Sequence, residues 1–253
     1  MSSSLSRRKL ITGGWAAAGG AAGLTAAARL ARRYGLIPPD WRGIWGPGET
    51  LTYACQRILT SEHSLAREFS RGEISQVAPV SGRPPEKGPY RQFLADGFAA
   101  WRLMVDGLVA RPASFTLAEL KRYPARTQIT EQTCEAGWSF VAAWTGVPLS
   151  DLMDRVGVLP AARYAVFLPF DDKWDSLDLA DAWHPQTLIA YGMNGQDLPV
   201  DHGAPVRLKI PRQLGYKNVK YLSRILLTDT LRPIGKGLGS AAPEHGYSWY
   251  AGI

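Results

Sequence analysis

The sequence predicts an α+β fold in which strand-rich mixed sheets are joined by short helices. Three observations carry this. From Trp101 onward, short runs rich in β-branched and aromatic residues recur, some alternating apolar and polar positions. The helical stretches between them are brief and hold their own start and stop signals. Strands and helices follow each other without regular strand–helix–strand alternation, and no internal repeat appears.

In chain order, residues 34–50 are rich in Gly, Pro and Trp and read as an extended linker. Residues 51–70 read as helix. Pro79, Gly82, Pro84, Pro85, Gly88 and Pro89 make residues 78–90 a loop. Trp101 to Gly107 reads as a strand closed by a turn at Asp106-Gly107. Thr116 and Glu119 have capping-box spacing and open a short helix reaching Tyr123. Arg126 to Thr133 is a β-rich run leading into Cys134, and Pro148 to Val156 is a second short helix stopped by Gly157. Strands follow at Arg163–Leu168 and Thr187–Met193, the latter turning at Asn194-Gly195. From Pro205 to Pro211 the chain alternates, with Val206, Leu208 and Ile210 on one face and Arg207 and Lys209 on the other. Val219 to Thr228 is the last strand. Gly235, Gly237 and Gly239 imitate a nucleotide loop without its strand-to-helix context, and read as a flexible tail.

At 253 residues the chain is long enough for a sizeable core, and 45% hydrophobic with 20% charged residues is ordinary for a globular protein. Nine Trp and ten Tyr point to pockets as well as packing. The net charge of +7 does not indicate nucleic-acid binding. Arg7, Arg8, Lys9, Arg29, Arg32 and Arg33 supply +6 of it within residues 1–33, which hold no acid, and the rest of the chain is nearly balanced.

That leader is an export signal by its pattern. Arg7-Arg8-Lys9 precedes the uncharged, Ala/Gly-rich stretch Gly13 to Ala28, and the arginine pair marks the twin-arginine kind, hence a periplasmic protein. Leu10 to Ala28 is just long enough to span a bilayer, so an N-terminal membrane anchor is the competing reading, with its glycines against it. The twin-arginine route carries folded proteins, typically ones loaded with a cofactor before export.

Cys55 and Cys134 are 79 residues apart, and no C-x-x-C occurs, which excludes internal iron–sulfur, Cys-rich zinc and c-type haem sites. His63, His184, His202 and His245 have no zincin spacing. Cys134 sits in Gln132-Thr-Cys-Glu-Ala-Gly-Trp138, polar on one side and turning on the other. Its readings are a small buried hydrophobe, half of a disulfide with Cys55, or a soft thiolate suited to an electron-poor metal. A second constellation is His202-Gly-Ala-Pro-Val-Arg207, followed by Lys217-Asn218-Val219-Lys220. An Arg and a Lys flanking backbone N–H groups can hold a phosphate; the alternative is a solvated strand face. Tyr90, Arg91 and Trp174 are candidates to line a substrate pocket.

Trp144-Thr-Gly-Val-Pro-Leu, Ala190-Tyr-Gly-Met-Asn-Gly, His202-Gly-Ala-Pro-Val-Arg-Leu and Gly215-Tyr-Lys-Asn-Val-Lys, in that order and spacing, resemble the oxidoreductase molybdopterin-binding domain of the sulfite oxidase family. The likeness covers Trp101 to Thr228. It implies the sulfite-oxidase fold over residues 91–253, preceded by the leader (1–33) and a linker with N-terminal extension (34–90). It implies one molybdenum–molybdopterin cofactor, with Cys134 as the thiolate ligand. It further implies pterin contacts at His202 and Arg207, and phosphate contacts at the backbone of Asn218, Val219 and Lys220 and the Lys220 side chain. Arg207 is the expected anchor, with Lys209 mattering less.

Two departures refine this. Sulfite oxidases carry a cation shortly after the metal cysteine, whereas Glu135, Ala136, Gly137, Trp138 and Ser139 stand here. An acid beside the ligand repels sulfite and matches the branch that reduces sulfoxides. At Leu168-Pro169 that branch has a hydroxyl residue against the pterin, and Pro offers no donor. The reading is oxygen-atom transfer to reduce a small sulfoxide-type substrate. Electrons come from a separate partner, either a membrane haem protein or a soluble cytochrome. The alternatives are sulfite oxidation, a thiol hydrolase pairing Cys134 with His202, and a non-catalytic binding module.

Overall fold

A computed structural model describes residues 46–60 and 63–253, with scattered positions between 23 and 36. Most of the leader and most of the 34–45 stretch lie outside the described residues. Among the described residues no helix is long and apolar enough to cross a membrane.

Helix α1 (Pro47–Leu59) is followed by a long irregular stretch, then α2 (Tyr90–Ala95), β1 (Leu103–Gly107), β2 (Ala113–Phe115), α3 (Leu117–Leu120), β3 (Arg126–Thr133) and β4 (Ser139–Pro148). Next come α4 (Leu149–Val156), β5 (Tyr164–Pro169), β6 (Asp175–Asp178), α5 (Leu179–Ala182), β7 (Leu188–Met193), β8 (Gln196–Asp197), β9 (Arg207–Lys209) and β10 (Leu222–Thr228). The strands form two five-stranded sheets. One has the order β2-β1-β10-β5-β6, mixed because β1 and β10 run parallel. The other is antiparallel, β3-β4-β7-β8, with β9 also on β7. This is the α+β, strand-rich class that the sequence predicts.

Local signals act where expected. Thr116 and Glu119 form the reciprocal cap of α3, which is one turn shorter than expected. Gly157 ends α4 at φ 67°, a conformation that favours glycine. Asn194 and Gly195 both take positive φ and close the β7–β8 hairpin. Other expectations are corrected. The helix expected over 51–70 begins earlier, at Pro47, and ends at Leu59. Asp106-Gly107 does not close a tight turn; β1 reaches β2 through residues 108–112. The longest strand, β4, has no forecast, because two alanines interrupt its β-formers.

The main core lies between the sheets. Leu103 and Val105 from β1, Ile189 from β7, and Val206, Leu208 and Ile210 around β9 meet the inner face of α4 there. A second cluster covers the outer face of the mixed sheet, where Tyr164 and Val166 of β5 meet Tyr53 of α1 and Trp249 and Tyr250 near the C-terminus. The C-terminal segment is therefore packed and is not a flexible tail: Gly235 lies against Trp174, and the Ser176 hydroxyl bonds the Gly239 carbonyl. A third cluster, around Phe140 and Trp144, covers the outer face of the antiparallel sheet.

Candidate active site

Cys134 stands where β3 turns back into β4. Its N–H donates to the Trp138 carbonyl at 2.8 Å, and the Gly137 N–H donates to the Cys134 carbonyl at 3.1 Å. The turn rests on Gly215: a Cβ there would lie 3.1 Å from the Thr133 oxygen and 3.4 Å from Cys134 Cα. Glycine at 215 thus lets the 215–220 loop press against the cysteine turn. Cys134 is buried, and its Sγ donates to Glu135 Oε2 at 3.4 Å. Burial, then the Glu135 carboxylate, push the thiol pKa up. Both cysteines are free, so the Cys55–Cys134 disulfide does not form.

The thiol faces a cavity of about 580 Å³, a size that holds a cofactor with substrate. All the predicted site residues line it: Cys134, His202, Arg207, Asn218, Val219 and Lys220. Arg207 is buried; its guanidinium donates to the carbonyls of His202 (3.0 Å), Asn218 (3.0 Å) and Leu208 (3.3 Å). Burial lowers its pKa to about 10, so it stays charged at neutral pH. Arg207 and Lys209 are thus not a solvated face; both are buried against Trp144. His202 sits edge-on to Phe140, and burial, then Arg207 and Lys220, lower its pKa to about 4. It is a neutral ring at pH 7.

The Asn218 side chain is committed to the loop, accepting from the Ile210 N–H at 2.8 Å and donating to the Leu214 carbonyl at 3.1 Å. Its own N–H bonds the Gly215 carbonyl. Among the described residues, no hydrogen bond occupies the Val219 and Lys220 N–H groups at the cavity wall. The Lys220 ammonium donates to the carbonyls of Ser81 (2.7 Å) and Asp201 (2.8 Å), tying the 79–82 loop over the cavity edge. Burial, then Arg207, lower its pKa to about 8. Lys217 turns away to a buried ion pair with Asp175.

Of the pocket candidates, Trp174 lines the cavity, while Tyr90 is core, its hydroxyl bonded to the Ala204 carbonyl at 2.7 Å. Arg91 is exposed and is not on the cavity wall. Residues 241–247 form a wall that sequence reasoning missed, with Tyr247 stacked on Tyr216 at 5.1 Å. The aromatic pair Trp249-Tyr250, unusual for a loose tail, was the available signal.

Residues 90–233 match the oxidoreductase molybdopterin-binding domain. The chain belongs to this family. Among its relatives, a putative protein-methionine-sulfoxide reductase subunit YedZ1 of Azospira oryzae is 38% identical over 61% of this chain and 56% of its own. The protein-methionine-sulfoxide reductase catalytic subunit MsrP of Ralstonia nicotianae is 34% identical over 60% of this chain and 50% of its own. This chain thus spans about half the length of those relatives. The sulfane dehydrogenase SoxCD of Paracoccus pantotrophus is similar in structure, with TM-score 0.49 and 28% identity over 51% of this chain and 38% of its own.

The molybdenum–molybdopterin cofactor of this family fits the residues present. A buried guanidinium with only carbonyl partners and two unoccupied N–H groups suit an anionic, phosphate-bearing group, and the lone thiol supplies a soft ligand. Pro169 adds no donor, and the carbonyls of Leu168 and Pro169 instead accept from the Ser223 hydroxyl at 2.8 and 3.3 Å.

Proposed function

We propose that the chain is the catalytic unit of an exported molybdopterin oxidoreductase that reduces sulfoxides. A sulfoxide takes up two electrons and two protons and leaves as sulfide and water. The bound molybdenum centre supplies the two-electron redox change. Cys134 serves as its thiolate ligand, Arg207 and the neutral His202 hold the pterin, and Lys220 with the Val219–Lys220 N–H groups holds the phosphate. The single observation that carries the sulfoxide reading is the charge around the thiol. Glu135 touches Cys134, no Lys or Arg occurs between Arg126 and Arg155, and six carboxylates line the cavity against three Lys and Arg side chains. A carboxylate at about 6 Å and an effective dielectric of about 20 opposes a monoanion by about 3 kcal/mol, but leaves a neutral sulfoxide unaffected. Trp138, Trp174 and Tyr247 offer apolar surface for its alkyl groups. The two relatives named for methionine-sulfoxide reduction support the same reading.

Electrons arrive from a separate protein, a membrane haem protein or a soluble cytochrome; the relatives named as a reductase subunit and a catalytic subunit support a separate partner. The arginine pair at Arg7-Arg8 supports twin-arginine export to the periplasm, with tethering if the leader is retained. The hydrolase alternative is disfavoured: the thiol pairs with Glu135 and its pKa moves up, opposite to an activated nucleophile. Lys173 and Lys220 on the wall favour a second reading, sulfite oxidation. Steady-state assays on molybdenum-replete protein decide between them. Faster reduction of a neutral sulfoxide with an artificial donor is expected; sulfite turnover well above it contradicts the proposal.

A further inference from the structure

Two cations flank one ring on the outer side of β9. Arg207 Cζ lies 5.1 Å and Lys209 Nζ 5.2 Å from the centre of Trp144. Both side chains are buried, and among the described residues neither forms an ion pair. The Lys209 ammonium reaches only oxygens of neutral groups, the Glu131 carbonyl at 2.8 Å and Gln132 Oε1 at 3.0 Å, while the Glu131 carboxylate accepts from Ser139 at the surface. Gln132 lines the cavity two residues before Cys134, and its Nε2 would lie 3.1 Å from a Cβ at Gly215. Lys209 therefore sits directly behind the strand end that presents the thiol.

Two like charges buried side by side without a contacting counter-ion are costly to the folded chain on its own, and the Glu131 carboxylate, turned to the surface, offsets the cost at Lys209 only in part. Burial, with Arg207 beside it, pushes the Lys209 pKa well below its ordinary value. An anion in the cavity would relieve that cost. We infer that Lys209 and Arg207 form a cationic floor beneath the cysteine turn. In it, Lys209 is a positioning residue that holds the end of β3 and offsets the negative charge of the thiolate-ligated cofactor. The inference rests on the proposed function and deepens it, giving Lys209 a part beside Arg207.

Lys209→Met keeps the length and removes the charge and the donors. Three readouts test it: melting of the metal-free chain, molybdenum content under limiting cofactor, and the thiolate-to-molybdenum absorption band. The metal-free variant should melt no lower than wild type, while molybdenum content falls about ten-fold, the loss expected for a charge-assisted interaction. The band of the remaining loaded fraction should shift, and Lys209→Arg should recover content. A metal-free Lys209→Met that melts below wild type, or fails to fold, overturns the inference, because Lys209 is then an ordinary structural donor. Wild-type content and band in the variant overturn the inference alone. A wild type without molybdenum overturns the proposed function and this inference with it.

Discussion

A free thiol in the turn between two strands could be ordinary packing; the place of Cys134 on the cavity wall with His202 and Arg207 supports the proposed ligand role. Polar residues leading into Cys134 and Gly137-Trp138 after it set it apart in the sequence, while the ligand role came from the family resemblance alone; the turn bonds and the Gly215 contact explain the local pattern. Cys134→Ser should preserve the fold, since the turn is built from backbone bonds, yet abolish the thiolate-to-molybdenum absorption and nearly all turnover. Absorption spectra and activity of the purified variant check this, with Cys55→Ser as the unaffected control. Arg207→Ala should lower cofactor affinity about ten- to a hundred-fold, because a buried charge-assisted bond contributes roughly 1.5–3 kcal/mol. Molybdenum content under limiting cofactor measures it. The sequence pointed to Arg207 through alternation, but not to the burial of both Arg207 and Lys209. Periodicity separates faces and says nothing of what covers each.

At the scale of elements, α1 is joined to the domain by charge as well as packing. Arg57 reaches Asp178 and Asp181, and Tyr53 donates to Asp178 at 2.7 Å, all buried. Removing the cation leaves two buried carboxylates without it, so Arg57→Met should destabilise the protein by about 3–5 kcal/mol, read as a lower urea midpoint. Elements with local grammar were legible: the capped α3, α4 stopped by Gly157, and the Asn194-Gly195 hairpin. β4 was not, since its identity comes from pairing with β3 and β7 on both sides, beyond the reach of local propensity. α1 was misplaced at both ends because its inner face is mainly Tyr53 and Arg57, whose partners lie more than a hundred residues away.

For the whole molecule, the site is a meeting of distant segments. The cysteine turn, the His202–Arg207 stretch and the 215–220 loop were readable from the sequence as separate motifs. The 79–82 loop and the 241–247 wall were not, since only tertiary contacts bring them to the cavity. Folding also sets a pH dependence. His202 titrates at about 4 when folded against about 6.5 when unfolded. Between those values the unfolded chain binds more protons, so this group's contribution makes stability rise with pH. Metal-free His202→Gln should therefore gain stability relative to wild type as pH falls from about 6.5 to about 4, which urea unfolding at both ends of the window reads.

On the proposed reading, Cys134 ligates a molybdenum centre. X-ray absorption at the molybdenum edge of the loaded protein tests it most directly, by counting sulfur ligands in wild type, Cys55→Ser and Cys134→Ser. Two pterin sulfurs plus one protein sulfur are expected in wild type and Cys55→Ser, with loss of the protein sulfur in Cys134→Ser alone. An unchanged sulfur count in Cys134→Ser, or a loss in Cys55→Ser, would contradict it.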